Sequence, residues 1–432
     1  MQTLESWGRL PKNSSPVLNW HWRHQAPALP AGETILPFGN GRSYGDSCLN
    51  LAGSLLHTRS LNRLIHFDAQ AGILTCEAGV LLSEMLAVIV PQGWFLPVTP
   101  GTQFVTMAGA IANDVHGKNH HRDGTFGNHV LQFELVRSDG QRLLCSPQEN
   151  PAYFNATIGG LGLTGTITWA TIRLQPIESN QIDNESIKYG NLQEFFHLAA
   201  ESDGSHPYTV AWVDCAARGR RLGRGLFMRG DHAKGASRPA SKLALSCPIE
   251  PPFSLINRAS LNAFNFCYYH KQRKREQHSR IHYAPFFYPL DAVSDWNRIY
   301  GPKGFYQYQC AIPVANAEPA MQEILERIAR SGLGSFLAVL KMFGNMPSPG
   351  LLSFPCHGAT LALDFPNMGE RTLKLMAELD KVTLAAGGRV YPAKDARMSA
   401  EHFALFYPQW RELEALRDPQ HNSTFWQRVT AL

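Results

Sequence analysis

The stretch PFGNGRSYGDSCLN, residues 37–50, determines how the rest of the chain is interpreted, because three glycines interrupt it at short intervals. Gly39, Gly41 and Gly45 allow consecutive backbone N–H groups to converge on one point, a geometry that suits a diphosphate. Arg42 adds positive charge beside them. An ordinary glycine-rich hairpin is the alternative for this stretch taken alone.

Two more glycine loops follow the first. PGTQFVTMAGAIAND, residues 100–114, leads into a run of small side chains against which a flat ring system can lie. IGGLGLTG, residues 158–165, contains a formal GxGxxG, but TITWATIRL after it alternates like a strand. The Rossmann fingerprint requires a helix at that point, so this match is not a Rossmann site. Three such loops in one region indicate a large diphosphate cofactor.

The stretch HGKNHHRDGTFGNH, residues 116–129, carries four histidines and three glycines. A metal site, an anion cradle and the wall of a redox pocket are the possible interpretations. The histidines lack the helical i, i+4 spacing around a glutamate, and no CxxC accompanies them. We therefore expect no metal here, and interpret the stretch as a loop that approaches an anionic ligand.

The whole composition is that of a globular enzyme. The chain has 432 residues, of which 44% are hydrophobic and 17% charged, and two domains are expected at this length. Its apolar runs are shorter than the roughly 20 residues that cross a bilayer, and the N-terminus lacks a secretory signal. Eight cysteines without paired spacing indicate reduced thiols in a cytosolic chain.

The positive charge of the chain is concentrated in two clusters. The formal net charge is +5, and RGRRLGRG at 218–225 and HKQRKREQHSR at 270–280 hold much of the excess. Two interpretations are open for both clusters. They are solvated surface, or they attract phosphate groups of an anionic substrate or of lipid head groups.

The pattern of apolar and glycine residues changes near residue 176. Residues 34–176 contain short β-like runs separated by glycine turns, including a hairpin signature in HFDAQAGILTCEAG. After that point, longer amphipathic helices alternate with strands, which is typical of a sheet with helices on one face. Residues 230–285 show little regular patterning, and we interpret them as a mobile lid.

These motifs resemble the vanillyl-alcohol oxidase family of FAD-binding oxidoreductases, the PCMH-type flavoproteins. The resemblance is carried by GNGRSYGD at 39–46, HGKNHH at 116–121, GGLGLTG at 159–165, LKMFG at 340–344 and YPAKDAR at 391–397. It extends over nearly the whole chain. Within the family, the chain is similar to the enzymes that oxidise a polyprenylphosphoryl-ribose.

The resemblance implies an α+β fold of the PCMH type, in which the FAD domain is built from both ends of the chain. The expected divisions are 1–176 for its N-terminal part and 389–432 for the segment that returns to it. Residues 177–388 would form a substrate domain on an antiparallel sheet with helices, including the lid around 230–285.

The family motifs also assign a site. The expected FAD-binding residues are Gly39, Asn40, Gly41, Arg42, Ser43, Tyr44, Gly101, Thr102, Thr106, Gly109, Asn113, His116, Gly117, Asn119, His120, Gly124, Gly160, Gly165, Ile167 and Tyr391. The expected substrate-binding residues are Lys118, Gln307, Lys341, Thr360, Ala362 and Lys394.

Lys394, Tyr44 and Lys118 are the expected catalytic residues. Oxidation of a secondary alcohol removes a hydride from carbon and a proton from the hydroxyl, and the site must stabilise the developing charge. A buried lysine acts either as a base with a lowered pKa or as a charged anchor, and the sequence leaves both open. The alternatives are a surface lysine at 394, ion-paired lysines at 118 and 341, and simple packing for Tyr44 and Tyr391.

Three positions depart from the family pattern. Many relatives attach flavin covalently to a histidine in a GxGHS loop, where this chain has Arg42, so noncovalent FAD is expected. Mycobacterial members have a cysteine, the target of covalent inhibitors, where this chain has Ala362. Thr360 is smaller than the amide that the family often has, which leaves the details of the substrate open.

The implied function is oxidation of the 2′-hydroxyl of a polyprenylphosphoryl-β-D-ribose, the first half of an epimerisation to the arabinose form used in the cell envelope. An NAD(P)H-dependent ketoreductase of the short-chain dehydrogenase type is the expected partner, with no nucleic acid. We expect a cytoplasmic location, and leave open peripheral attachment to the inner face of the membrane.

Two other functions compete with this one. The first is a sugar, alditol or aldonolactone oxidase of the same fold that acts on a soluble substrate. The second is a non-catalytic protein that binds anions or nucleic acid. The RGRRLGRG cluster lacks the interleaved aromatic residues that nucleic-acid binding favours, and this second function leaves the three glycine loops unexplained.

Overall fold

The computed structural model of the protein describes residues 4–238 and 245–431. The N-terminal strands are β1 (Val17–Asn19), β2 (Ile35–Phe38), β3 (Ser54–His57), β4 (Leu64–Asp68), β5 (Ile73–Glu77), β6 (Trp94–Phe95), β7 (Val130–Val136), β8 (Arg142–Cys145), β9 (Thr166–Arg173) and β10 (Gln175–Pro176). The helices of this part are α1 (Leu82–Ile89), α2 (Met107–Ala112), α3 (His120–Asp123) and α4 (Pro151–Thr157).

The rest of the chain alternates strands and helices. Its strands are β11 (Gln181–Tyr189), β12 (Tyr208–Val213), β13 (Gly225–His232), β14 (Leu245–Ser246), β15 (Glu276–His282), β16 (Val293–Ser294), β17 (Phe305–Pro313), β18 (Val339–Phe343), β19 (Gly358–Pro366) and β20 (Arg389–Val390). Its helices are α5 (Leu192–Asp203), α6 (Arg258–His270), α7 (Tyr283–Phe287), α8 (Ala317–Ser331), α9 (Glu370–Ala385), α10 (Ala400–Phe406), α11 (Trp410–Leu416) and α12 (Thr424–Val429).

A five-stranded antiparallel sheet in the order β4-β5-β9-β7-β8 organises the N-terminal part. The hairpin expected in HFDAQAGILTCEAG is confirmed, since β4 pairs with β5 and Gly72 between them has a φ of +66°. The expected strand TITWATIRL is β9 at the centre of the sheet. A small parallel sheet, β1-β3-β2, lies beside it and delivers the first glycine loop at the end of β2.

An eight-stranded antiparallel sheet in the order β15-β11-β13-β12-β18-β19-β17-β20 forms the central part. Successive side chains of a strand point to opposite faces. In β19, Leu361 and Leu363 belong to the same core cluster as Met321 and Ile324 of α8. The α+β class, with helices against an antiparallel sheet, is therefore confirmed. The opposite face of β17, β18 and β19 carries polar side chains.

The C-terminal helices pack against the N-terminal part of the chain. Phe403 of α10 and Trp426 of α12 share a core cluster with Leu36 and Leu55 of the small parallel sheet. Arg428 joins the two ends directly, because its guanidinium binds the carboxylates of Asp46 at 2.7 Å and Asp395 at 3.1 Å. This packing brings the loop after β2 beside the turn after β20.

The expectation of an irregular segment at 230–285 is wrong for two of its parts. Residues 258–270 form α6, whose first turn is capped by the side chain of Asn257, and residues 276–282 form the edge strand β15. An exposed edge strand lacks the apolar alternation that reveals a half-buried strand, so β15 shows no such signal in its sequence. Residues 239–244 of the expected lid lie outside the described residues.

Two other expectations concern membranes and thiols. None of the helices in the described ranges combines the length and apolar character needed to cross a bilayer. All eight cysteines are free thiols in the structure.

Candidate active site

A cavity of about 490 Å³ opens between the glycine loops of the N-terminal part and the polar face of the eight-stranded sheet. The turn after β20 and residues 290–296 complete its walls. The expected site residues that line it are Gly39, Asn40, Gly41, Arg42, Ser43, Tyr44, Gly101, Thr102, Thr106, Gly109, Asn113, His116, Gly165, Ile167, Gln307, Lys341, Thr360, Ala362, Tyr391 and Lys394. The structure thus gathers residues from both ends and the centre of the chain.

The first glycine loop forms one wall of this cavity. The N–H groups of residues 39–43 donate to no acceptor in the described part of the chain. Gly45 packs so tightly against the C-terminal turn that a Cβ atom there would lie 1.7 Å from the carbonyl oxygen of Asp395. Free N–H groups beside a cavity are the donors that a diphosphate needs, so the loop fits the diphosphate of FAD.

The second glycine loop faces the first. Thr106 caps α2 by accepting a hydrogen bond from the N–H of Gly109 at 3.1 Å. A Cβ atom on Gly39 would lie 2.5 Å from the hydroxyl oxygen of Thr106, so the two loops approach as closely as glycine permits. Tyr391 of the C-terminal turn donates its hydroxyl to the carbonyl of Asn113 at 2.6 Å. These contacts hold the two loops and the C-terminal turn together along one side of the cavity.

Three strands supply the polar wall of the cavity. In the registers of the sheet, Gln307 lies opposite Asp364, and Lys341 lies opposite Thr360. Asp364 is 1% exposed and accepts a hydrogen bond from the amide of Gln307 at 2.6 Å. Burial raises the pKa of Asp364 to about 7, against the opposing effects of Gln307 and Lys394.

His116 connects this wall to the HGKNHH loop. Its Nδ1 lies 3.2 Å from Nζ of Lys341, and its Nε2 lies 3.0 Å from the side-chain amide of Gln309. Burial lowers the pKa of His116 well below its ordinary value, so the ring is neutral and carries one N–H. It therefore accepts at one nitrogen and donates at the other. The proton state of Lys341, whose pKa burial lowers to about 7, is thus linked to the orientation of Gln309.

Lys394 projects from the short turn Pro392–Lys394 that follows β20. Its Nζ lies 3.8 Å from the centroid of the Tyr44 ring. Burial lowers the pKa of Lys394 to about 7, while the negative charge of Asp364 opposes this and the positive charge of Lys341 adds to it. A lysine with these properties exchanges protons near neutral pH, which makes it able to act as an acid or a base.

Lys118 is held by Phe286 of α7, and its expected role at the site stays a prediction. Its ammonium donates to the carbonyl of Phe286 at 2.5 Å and lies 4.6 Å from the centroid of that ring. It is absent from the residues that line the cavity. The same holds for five expected cofactor residues, which are Gly117, Asn119, His120, Gly124 and Gly160. Of these, Asn119 supports the loop by donating to the carbonyl of Pro97 at 2.7 Å.

The four histidines of residues 116–129 do not converge on one point. His121 contacts the carbonyl of His206 at 2.9 Å, and His129 contacts the carbonyl of Asp123 at 2.8 Å. His120 packs against the ring of Phe343 at 4.5 Å. In the described ranges, the one group of side chains close enough to share a metal is elsewhere, on the edge of the large sheet (Glu185, Glu276 and His278).

Several cavity residues carry no motif that predicts them from the sequence. Gln309 and Asp364 alternate with apolar residues of β17 and β19, so polar side chains at every second position would have revealed them. Asp291 accepts the N–H of Gln103 at 2.8 Å and contributes a carboxyl whose pKa is raised by burial. It belongs to the segment 290–296, which has no local signal of its own.

Comparison with known proteins agrees with this architecture. Residues 27–146 match the family described as the FAD binding domain. Decaprenylphosphoryl-β-D-ribose oxidase of Mycolicibacterium smegmatis is 37% identical over 91% of this chain and 88% of its own length. A Streptomyces coelicolor protein named "Uncharacterized protein in mprA 5'region" is 33% identical over 79% of this chain and 96% of its own. Mouse L-gulonolactone oxidase is 29% identical over 35% of this chain and 34% of its own.

The free N–H groups of the first glycine loop, the cavity and the matching domain define an FAD-dependent oxidoreductase of the PCMH type. The extent of the first similarity allows a finer assignment. The chain belongs to the decaprenylphosphoryl-β-D-ribose oxidase family of these enzymes.

Proposed function

We propose that the protein oxidises the 2′-hydroxyl of a polyprenylphosphoryl-β-D-ribose to a ketone. The main support is the polar face of the large sheet, which presents Lys341 and Asp364 across the cavity from the glycine loops, with Lys394 beside them. The substrate class is suggested by the name of a relative that matches nearly the whole chain. FAD supplies the hydride acceptor when it is bound.

Lys394 is the proposed base. Its lowered pKa, about 7, leaves a neutral amine available to accept the proton of the substrate hydroxyl. Tyr44 positions this amine through the contact of its ring. Asp364 stabilises the protonated form that results, because its negative charge raises the pKa of Lys394.

The remaining polar residues of the sheet are proposed to bind the substrate. Gln307, Gln309 and Thr360 offer amide and hydroxyl groups suited to the other hydroxyls of a sugar. Lys341 donates to the carbonyl of Gly117 at 3.1 Å and offers its positive charge to an anionic phosphodiester. Lys118, which lies against Phe286, is left without a proposed catalytic role.

Anaerobic bleaching of the flavin tests this proposal. The FAD-loaded protein would be mixed in a stopped-flow instrument with a short-chain polyprenylphosphoryl-ribose, and in parallel with free ribose, arabinose, alditols and aldonolactones. We expect rapid bleaching by the phosphoryl-ribose alone. Bleaching by an aldonolactone with no response to the phosphoryl-ribose would favour the soluble-substrate oxidase, and partial similarity to L-gulonolactone oxidase makes that the informative comparison.

FAD is proposed to be bound without a covalent link. Arg42 occupies the loop position where many relatives have a tethering histidine, and its guanidinium lies 4.3 Å from the centroid of the Trp7 ring. The cavity thiol of Cys48 is a poor nucleophile, because burial raises its pKa to about 12. Both ring nitrogens of His116 are engaged by protein groups.

Peripheral attachment to a membrane is also proposed, since a polyprenyl chain must stay in lipid while its head group enters the cavity. Ile249, Phe253 and Phe266 are 76%, 67% and 59% exposed, and the basic cluster 270–280 follows α6. Tyr268 and Tyr269 of α6 pack inward: Tyr268 lies against Trp212 at 4.6 Å, and Tyr269 donates to the carbonyl of Tyr189. The exposed residues ahead of and on α6 are better candidates.

A ketoreductase is the proposed partner in the reaction sequence. A 2′-ketone must be reduced from the opposite face to give the arabinose epimer, and an NAD(P)H-dependent enzyme of the short-chain dehydrogenase type would supply that hydride. A coupled assay that follows NAD(P)H consumption after oxidation by this protein would test the sequence. Accumulation of arabinose product without any nicotinamide cofactor would contradict it.

A further inference from the structure

A second cavity, of about 330 Å³, lies apart from the active-site cavity. It is bounded by the turn that follows β12, the first turns of α6 and the C-terminal end of α8. Four arginines line it: Arg218, Arg221, Arg224 and Arg258. No residue lines both cavities. The chemistry of the flavin site therefore leaves this cavity unexplained.

Two of its four arginines are held by contacts within the fold. Arg224 is paired with Asp214, whose Oδ2 accepts hydrogen bonds from its Nε and Nη2 at 3.0 and 2.8 Å. Arg218 donates to the carbonyl of Ala329 near the end of α8. Helix C-termini carry partial negative charge, which favours a cation at that place. Neither of these two residues requires a ligand.

Arg221 and Arg258 are different. Neither guanidinium has a carboxylate partner within the described ranges, and the lining of the cavity contains no acidic residue. Arg258 is also the first residue of α6, whose N-terminal end adds partial positive charge to the same wall. Two exposed arginines cost little free energy by themselves. Here they converge from separate segments on one cavity, where no carboxylate of the lining balances their positive charge.

We propose that this cavity binds a phosphate group, as a phosphate monoester or diphosphate. The guanidinium fork matches the geometry of phosphate oxygens, and arginines from two sides can each donate a pair of hydrogen bonds. The volume of the cavity is near the lower limit of small-molecule sites, which suits one head group rather than a dinucleotide. Phosphate is then the specific ligand of the RGRRLGRG cluster.

The phosphate has two possible sources with the same chemistry. A soluble phosphorylated metabolite is one, and the head group of an anionic lipid is the other. Phe266 of α6 is 59% exposed and Phe253, shortly before the helix, is 67% exposed, so the helix that begins at Arg258 and the segment before it also present apolar side chains to solvent. The site does not depend on the proposed sugar oxidation, and its test uses no activity measurement.

The first arm of the test is calorimetric titration of the FAD-loaded protein with inorganic pyrophosphate at low ionic strength. The variant is Arg221→Gln/Arg258→Gln, and the matched control is Lys374→Gln/Lys381→Gln, which removes the same charge from the exposed face of α9. Flavin absorbance and thermal unfolding establish that each protein is folded and loaded. We expect affinity to fall by about a hundredfold in the arginine variant, as the loss of two charge-assisted contacts implies, and to change little in the control.

The second arm is sedimentation with vesicles of phosphatidylcholine, with and without phosphatidylglycerol. Binding to the anionic vesicles that is lost in the arginine variant, retained in the control and displaced by pyrophosphate identifies a lipid head group as the ligand. Saturable binding of pyrophosphate without vesicle binding identifies a soluble phosphate. The proposal is overturned if wild-type protein binds neither probe, or if the arginine variant binds both as well as the lysine control does.

Discussion

The ammonium of Lys394 lies over the aromatic ring of Tyr44, with Nζ 3.8 Å from the ring centroid. Tyr44 is held edge-on against Phe305 at 5.6 Å, and its N–H donates to the carbonyl of Ala393 at 3.0 Å. The cation and the ring that positions it thus come from opposite ends of the chain. A contact through a π face leaves the lysine nitrogen free to exchange protons with a ligand in the cavity.

Replacement of this lysine is the first test of its role. We expect Lys394→Ala to lower the rate constant of anaerobic flavin reduction by about 10²–10⁴, the range for removal of an acid–base or electrostatic group. FAD should stay bound, since the glycine loops provide the diphosphate donors. The measurement is single-turnover reduction by the phosphoryl-ribose, with FAD content determined from absorbance. A rate within about threefold of wild type would exclude a catalytic role.

The pH dependence of reduction follows from the same pKa. If neutral Lys394 is the base, the second-order rate constant of reduction should rise with pH and level off above a midpoint near 7, because the pKa of Lys394 is lowered to about 7 by burial. Asp364→Asn removes a charge that raises this pKa, so the midpoint should move to lower pH. Lys341→Met removes a charge that lowers it, so the midpoint should move to higher pH.

Opposite shifts in these two variants distinguish an effect on Lys394 from general damage to the site. Stopped-flow reduction over a pH series in buffers of constant ionic strength provides the midpoints. A rate that falls as pH rises through 7 would show that protonated Lys394 is the active form, acting as an electrostatic anchor.

Much of the cofactor wall is predictable because its determinants are local. A glycine loop after a short strand exposes N–H groups whatever the rest of the chain does, and Gly39, Gly41, Gly101 and Thr106 all line the cavity. Local alternation also distinguishes IGGLGLTG from a Rossmann site, because the residues after it form the strand β9 and not a helix.

The lysines show where local information ends. Lys118 and Lys341 both belong to family motifs, but only Lys341 lines the cavity. Lys118 donates instead to Phe286, a residue 168 positions away, in a contact that depends on where α7 packs. Asp364 is predictable in part. The sequence shows its alternation with apolar residues of β19, but its burial beside Gln307 depends on the pairing of β17 with β19.

The state of the flavin is tested by denaturation. Acid precipitation of the purified protein should release all FAD into the supernatant, because Arg42 cannot form the bond that a histidine forms. The supernatant absorbance, compared with that of the holoprotein, gives the fraction released. Flavin that remains in a washed pellet, or a peptide mass increased by that of FAD, would show a covalent link elsewhere.

The alanine at position 362 predicts a low reactivity of the cavity toward thiol reagents. It lines the cavity between Gln309 and Val339 in the registers of the sheet, at the position where the family resemblance implies a cysteine in some members. The wild-type cavity contains the thiol of Cys48, which burial keeps protonated by raising its pKa to about 12. Wild-type protein should therefore lose activity only slowly with iodoacetamide.

Ala362→Cys should be inactivated faster by about two orders of magnitude, because a thiol of ordinary pKa in the cavity carries far more thiolate at pH 8 than Cys48 does. Activity loss and mass spectrometry of the labelled peptides provide the measurement. Cys267 is exposed in both proteins and serves as an internal control, since its labelling should proceed equally and leave activity intact. Equal inactivation rates of wild type and variant would mean that activity is lost through alkylation of a residue other than position 362.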